Sequence, residues 1–258
     1  MLLYRIAPEG FYAVRETEEE GLRVLFSDPF TDPPGRWRLG RAVEEGAGIV
    51  LPPVLPGKIV GIGRNYRDHA QEMNSPVPEE PLLFLKSPSS LIGPNAPIVL
   101  PPESQRVEYE GEIAVVLRDR LRRASAEQAA AAVLGITCAC DVTARDLQRR
   151  DATFARAKSF DTFCPLGPAI QLGPDLDDLD LATRVNGAVR QHAHVREMVF
   201  GIVDLLVYAS RMMTLEAGDV VLTGTPGGVG PLAAGDLLEV EIRGLGVLSN
   251  PVQEWRQA

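Results

Sequence analysis

The amino-acid sequence predicts a strand-rich α+β fold, and three observations carry that prediction. Short segments with period-two alternation recur along the chain, from LLYRIA and FYAVR near its start to LLEVEIR near its end. Helical periodicity is confined to a few stretches. Strands and helices do not alternate regularly, which favours a mostly antiparallel or mixed sheet over a doubly wound one.

Residues 1 to about 50 hold LLYRIA, FYAVR and LRVLF, separated by glycine and by DPFTDPPG, and read as a small β-rich unit. LPPVLPG, residues 51–57, suits a linker. The expected division is therefore a small domain over residues 1–55 and a larger one over 56–258. In the larger part, IVGIG is a strand opening into a polar loop or helical turn, RDHAQEM. PLLFLKSPSSLIGPNAPIVLPP reads as two strands around a turn at GPN. EYEGEIAVVL is a further strand, and SAEQAAAAVLG a helix capped by Ser125 with Gly135 just past its end. GITCAC is a buried strand ending at Asp141, TARDLQRR is helical, and residues 196–213 carry the longest helical pattern. GDVVLTGT and GDLLEVEIRGLGVL complete a strand-rich C-terminal part.

Bulk properties narrow the function. At 258 residues with 45% hydrophobic content the chain can bury a substantial core. Its net charge of −9 lacks the basic footprint that nucleic acid requires. No stretch approaches the roughly 20 apolar residues of a membrane span. Arg5 and Pro8 fall too early for a secretory leader, so a cytoplasmic protein is expected. Cys138, Cys140 and Cys164 suit small buried hydrophobes better than a zinc site. Of 26 basic residues only Lys58, Lys86 and Lys158 are lysines. A lysine kept against such an arginine bias points to a need for a compact ammonium.

The strongest local signal is EYEGE. On a strand, Glu108, Glu110 and Glu112 share a face, and three carboxylates repel unless a cation sits among them. A hard divalent ion suits clustered oxygen ligands, although the solvent face of an edge strand gives the same pattern. Alternation does not choose among the three. Asp141, between a strand and a helix, fits either a crevice ligand or a helix cap. Arg145 has the fork to grip a carboxylate, and Gln148 an amide to donate to an oxygen. Lys158 lies among small and apolar residues, where its charge is disfavoured and its proton made available; it can also act as a point charge on an enolate. His69 and Glu72 share a helical face at i,i+3, an arrangement that makes imidazole a general base. The TGTPGGVG loop, residues 223–230, offers amides and the Thr225 hydroxyl to a carboxylate. His192 and His194 sit at strand spacing in QHAHV and read as part of a polar hairpin.

Taken together, GRNYRDHAQEM, PLLFLKSPSSLIGP, YEGEIAVVL, CDVTARDLQ, AKSFDTFCPLGP, VNGAVRQ and LEAGDVVLTGTPGGVG resemble the fumarylacetoacetate hydrolase family, in the family's order, over about residues 58–250. The resemblance implies a mixed β-sandwich roll and a homodimer. It selects Glu110 and Glu112, with Asp141, as ligands of Mg²⁺ or Mn²⁺, with Ca²⁺ also admissible, and leaves Glu108 outside the metal set, supporting the site or solvated. Lys158, Arg145, Gln148 and Thr225 match substrate-binding or polarising positions, and His69 and Glu72 match a mobile lid dyad. The implied substrate is a small 2-oxo or 2-hydroxy-enol carboxylic acid. The first expectation is an isomerase or decarboxylase of the 2-hydroxyhepta-2,4-diene-1,7-dioate type, serving aromatic-acid breakdown. An acylpyruvate hydrolase or oxaloacetate decarboxylase stands second, and a non-catalytic acid- or metal-binding protein third.

Overall fold

A computed structural model of the chain describes residues 1–17, 19–44 and 49–256. Positions 18 and 45–48 of the expected N-terminal unit thus lie outside the described residues. That unit supplies β1 (Leu2–Ile6), β2 (Phe11–Arg15), β3 (Arg23–Leu25) and β4 (Leu39–Ala42). Then come β5 (Ile59–Gly63), α1 (Arg67–Glu72), β6 (Leu82–Lys86), β7 (Leu91–Ile92), β8 (Ile98–Leu100), β9 (Val107–Tyr109) and β10 (Gly111–Leu117). The middle holds α2 (Ala126–Ala131), β11 (Val133–Cys140), β12 (Thr143–Ala144), α3 (Arg145–Arg150), α4 (Ala155–Lys158) and β13 (Cys164–Leu172). The chain finishes with β14 (Asp180–Val185), β15 (Ala188–His194), α5 (Ile202–Met212), β16 (Val220–Leu222), β17 (Gly230–Pro231), β18 (Leu237–Ile242) and β19 (Gly246–Glu254).

The fold is α+β and strand-rich. One sheet runs β4-β3-β2-β1-β13-β11-β10-β16-β5-β6, with β7 added beside β13. A five-stranded sheet runs β15-β14-β18-β19-β8, and β12-β9-β17 form a small third one. Most pairs are antiparallel, while β16 with β5, β13 with β7 and β19 with β8 are parallel, so the sheets are mixed. The N-terminal strands are continuous with the large sheet, because Leu2 and Leu3 of β1 pair with Gln171 and Ile170 of β13.

Alternation along β10 divides the interior. Ile113, Val115 and Leu117 enter a core shared with the five-stranded sheet and α5, whose Ile202, Leu205, Leu206 and Ala209 repeat at helical spacing. Ala114 and Val116 point into a second core, closed by Leu3, Val14, Leu25 and Val54 of the N-terminal segment. Both faces of the large sheet are therefore covered, which is why β10 is buried along its whole length.

Several element boundaries differ from the sequence expectation. α2 has the Ser125 cap, reinforced by Gln128 in a reciprocal capping box, but it stops at Ala131, and Gly135 lies inside β11. Six helical residues suffice because β11 must begin at Val133 to pair with Leu117. The long pattern at 196–213 yields a helix only from Ile202, after a short 3₁₀ turn at Val195–Glu197. EYEGEIAVVL is two strands interrupted at Glu110.

Candidate active site

The interruption at Glu110 builds the site. Here the backbone leaves the ladder, and Asp141, one residue past β11, donates its N–H to the Glu110 carbonyl at 2.8 Å. The two strand ends are thereby stitched together. One carboxylate oxygen each from Glu110, Glu112 and Asp141 lies within 4.8 Å of the others, and all three residues are buried. Glu108 is buried as well, contrary to a solvated position: it accepts from Arg145 Nε at 2.6 Å and also from Arg106.

Three buried cations answer these four carboxylates. Arg145 reaches both Glu108 and Glu110. Lys158 donates to Glu110 at 2.8 Å, to Thr143 Oγ1 at 2.9 Å and to Asp141. Lys86 donates to Asp141 at 2.6 Å and to the Lys158 carbonyl. Among the described residues Glu112 has no cationic side-chain partner; its Oε2 accepts the Gly224 N–H at 2.6 Å. Its carboxyl is held well above the usual carboxylate range by burial first, then by the charges of Asp141 and Glu110. Burial acts the same way on Glu110, but Lys158 and Arg145 outweigh it and hold that carboxyl below the usual range. Lys158 overturns one sequence expectation. Burial disfavours its charge, but Asp141 and Glu110 more than compensate, so it is held above its ordinary value as a firm ammonium rather than a ready proton donor.

This charge balance is the test of whether a divalent ion fits. An unpaired buried carboxylate costs several kcal/mol, and one hydrogen bond to a charged group returns only about 1.5–3 kcal/mol. Glu112 is thus held toward its neutral form, and a bound cation would favour its ionisation. The oxygen shell of Mg²⁺ or Ca²⁺ is roughly 4–5 Å across, which the carboxylate spacing matches. The donor set is all carboxylate oxygen, so a hard divalent cation fits Glu110, Glu112 and Asp141. Lys158 and such an ion would share the carboxylates of Glu110 and Asp141.

Above the carboxylates is a cavity of about 270 Å³ whose lining includes Glu110, Glu112, Arg145, Gln148, Lys158, Thr225 and His69. Its apolar lining includes Ile62, Leu82, Phe84, Phe154 and Met73. Phe84 can lie across β5 because its cross-strand partner is Gly61, where a Cβ would come within 2.2 Å of the ring. From that position it takes the Lys158 ammonium 4.7 Å from its ring centre. Arg145 lines the cavity, but its guanidinium is spent on Glu108, Glu110 and the Gln148 amide oxygen, the last at 2.6 Å. The Gln148 amide NH₂ makes no hydrogen bond among the described residues, and Gln148 lines the cavity. The Thr225 hydroxyl is also committed: it donates to the Gly111 carbonyl at 2.8 Å and accepts from Gln191 at 2.7 Å.

Helix α1 brings His69 to the same cavity, with Glu72 beside it. Its approach is set by Asn65, whose amide donates to the Thr223 and Phe200 carbonyls at 2.8 and 3.1 Å. Asp68 Oδ1 accepts the His69 N–H at 2.7 Å and Oδ2 the Gly227 N–H at 3.0 Å, while Glu72 accepts the Gly228 N–H at 3.1 Å. Glu72 stands 3.6 Å from His69 Nδ1, a buried nitrogen with no hydrogen-bond partner among the described residues. His192 and His194 stay away from the cluster, on β15; His194 caps the following 3₁₀ turn and faces Asp178.

Seven of the nine residues singled out for the site line one cavity, Asp141 joins Glu110 and Glu112 at its floor, and Glu72 stands beside His69. Sequence reasoning missed Lys86 and Gln191. The scarcity of lysine was the signal for Lys86. For Gln191, which donates to Thr225 and the Pro226 carbonyl and accepts from the Gly111 N–H, no local pattern pointed to it.

Comparison with known proteins places this architecture. Residues 58–253 match the family described as fumarylacetoacetate (FAA) hydrolase, C-terminal, and the chain belongs to that family. An Archaeoglobus fulgidus protein whose name assigns no activity is 52% identical over 200 residues, 78% of this chain and 80% of its own length. A mitochondrial oxaloacetate tautomerase of Bos taurus is 45% identical over 216 residues, 79% of this chain and 69% of its own length. The crystal structure of a 2-hydroxyhepta-2,4-diene-1,7-dioate isomerase from Mycobacterium marinum superposes with a TM-score of 0.88, at 39% identity and 100% coverage of both chains. The two of these relatives that are named for an activity are an isomerase and a tautomerase.

Proposed function

We propose that the chain is a divalent-metal-dependent enzyme that moves a proton at the carbon beside the oxo group of a small 2-oxo or 2-hydroxy-enol acid. Isomerisation, with or without decarboxylation, of a 2-hydroxyhepta-2,4-diene-1,7-dioate-type acid from aromatic breakdown is the first reading. The observation that carries it is the trio of buried carboxylates at a cavity that also holds an imidazole. Glu110, Glu112 and Asp141 would hold the ion, and Mg²⁺ or Mn²⁺ suits them. When bound, the ion supplies a Lewis acid that draws electron density from the substrate's oxo and carboxylate oxygens.

The remaining chemistry belongs to the chain. His69 takes or returns the proton on carbon, with Glu72 orienting its ring. The Gln148 amide donates to a substrate oxygen, and the Lys158 ammonium stabilises negative charge developing on the enolate. Arg145, fully engaged with carboxylates, fixes Glu110 and Gln148 rather than gripping substrate. The apolar side chains around the cavity limit water, which favours proton transfer over hydrolysis.

The His69–Glu72 pair keeps a second reading in view, hydrolysis of an acylpyruvate or decarboxylation of oxaloacetate, since the same base can activate water. The test is one panel with Mg²⁺ or Mn²⁺: oxaloacetate, acylpyruvates and unsaturated 2-hydroxy dioates, with wild type and His69→Ala. Metal-dependent turnover of the dioates or oxaloacetate tautomers supports the first reading. His69→Ala is expected to abolish any C–C hydrolysis while leaving part of the metal-dependent ketonisation. Metal binding with no turnover of any substrate rejects the enzyme reading in favour of a binding protein.

A further inference from the structure

The cavity contains three permanently cationic side chains, and two of them are committed. Arg145 and Lys158 each hold two carboxylates. The third, Arg64, lines the same cavity and is half-buried. Among the described residues it makes no ion pair and no side-chain hydrogen bond. Its neighbours on the chain fix its place. Gly63 ends β5, and the Asn65 side chain is bound on both sides to the backbone at Thr223 and Phe200. Between them Arg64 adopts a left-handed backbone, φ 55°, an uncommon state for a residue with a side chain. The chain therefore carries a guanidinium at this turn where glycine or asparagine would sit more comfortably.

A cation in a partly desolvated cavity calls for an anion, and Glu108, Glu110 and Asp141 are already matched by Arg145, Lys158 and Lys86, while Arg64 pairs with no carboxylate among the described residues. The apolar lining at Leu82, Phe84 and Phe154 suits a short carbon skeleton. A ligand complementary to all of these has a 2-oxo carboxylate at one end, a few carbons and a second anionic group. We infer that Arg64 receives the distal carboxylate of the substrate and makes the site selective for dicarboxylic acids; this rests on the function proposed above. It also assigns the carboxylate grip first sought at Arg145 to a different residue.

The experiment compares two ligands that differ in that one charge, oxaloacetate and its 4-methyl ester, on the Mg²⁺-loaded full-length protein. Binding is read by titration calorimetry, and proton exchange at the carbon beside the oxo group by NMR in D₂O. Wild type is expected to bind the diacid about 10- to 100-fold more tightly than the ester, as a charge-assisted bidentate contact implies. Arg64→Ala and Arg64→Gly are expected to remove most of that preference. They should raise KM for the diacid with kcat within about threefold, and leave the ester unchanged. Arg64→Gly relieves the left-handed backbone, so loss of folding does not mimic the effect. Equal affinity of wild type for the two ligands, binding of neither, or equal weakening of both in the variants overturns the assignment. A diacid preference that Arg64→Ala abolishes, with no exchange by wild type, upholds Arg64 and rejects the enzymatic reading instead.

Discussion

At the scale of single residues, Glu112 is the group on which the electrostatics turn. Glu110 and Asp141 each have a lysine, while among the described residues Glu112 has one backbone donor, the Gly224 N–H. Because its folded carboxyl is raised above the unfolded value, the metal-free protein carries a stability contribution that is full below the ordinary carboxylate range and fades as pH rises through the raised value. Glu112→Gln is expected to flatten that slope in urea denaturation series run with EDTA from pH 5 to 8. It should also abolish the stabilisation that Mg²⁺ or Mn²⁺ gives wild type. A wild type whose metal-free stability rises over that pH range would refute the charge assignment. Some of this was legible in the sequence: E-x-E and the following Asp at 141 stand out as oxygen ligands. The burial of Glu108 was not, because its partner Arg145 comes from another element and local alternation treats all three glutamates alike. Lys86 and Arg64 escaped for the same reason, since what matters is which partners a cation has in space.

At the scale of elements, α1 and the glycine-rich loop act as a matched pair. Asp68 and Glu72, one turn apart on α1, accept the consecutive amides of Gly227 and Gly228. A side chain at Gly227 would come within 2.8 Å of Asp68 Oδ2, so the glycine permits the close approach. Each such hydrogen bond contributes about 1 kcal/mol. Asp68→Ala is therefore expected to lower kcat/KM about 3- to 10-fold, leaving metal affinity intact. Gly227→Ala should do the same, and the double variant should be little worse than either, because both break one contact. Additive losses would show that the two residues act separately. The sequence marked both segments, one by H-x-x-E and the other by its glycines. Their contact was not readable, since it joins residues about 160 positions apart. Strands with clean alternation were found readily. The end of α2 was not, because alanine favours helix in AEQAAAA while pairing with β10 imposes strand from Val133.

At the scale of the whole molecule, the N-terminal segment both extends the large sheet and closes its second core. Leu3, Val14, Leu25 and Val54 cover Val116, Leu134, Ile170 and Leu222. Burying one such side chain contributes about 1.5–3 kcal/mol, so several together rival the 5–15 kcal/mol that holds a domain folded. We propose that residues 1–55 are a distinct unit in sequence but not an independent one in stability. A chain of residues 56–258 is expected to aggregate or to lose more than about 4 kcal/mol in denaturant titration. Cooperative unfolding at nearly full-length stability would make the two parts autonomous domains. The arginine bias has a last consequence at this scale. Lys86 and Lys158 are buried in the carboxylate cluster, and Lys58, paired with Asp219, is the one lysine with appreciable side-chain exposure, 29%. Reagents that acylate amines thus find almost no foothold on the folded protein beyond Lys58 and the N-terminus. Labelling at the other two lysines becomes a direct chemical report that the carboxylate cluster has come apart.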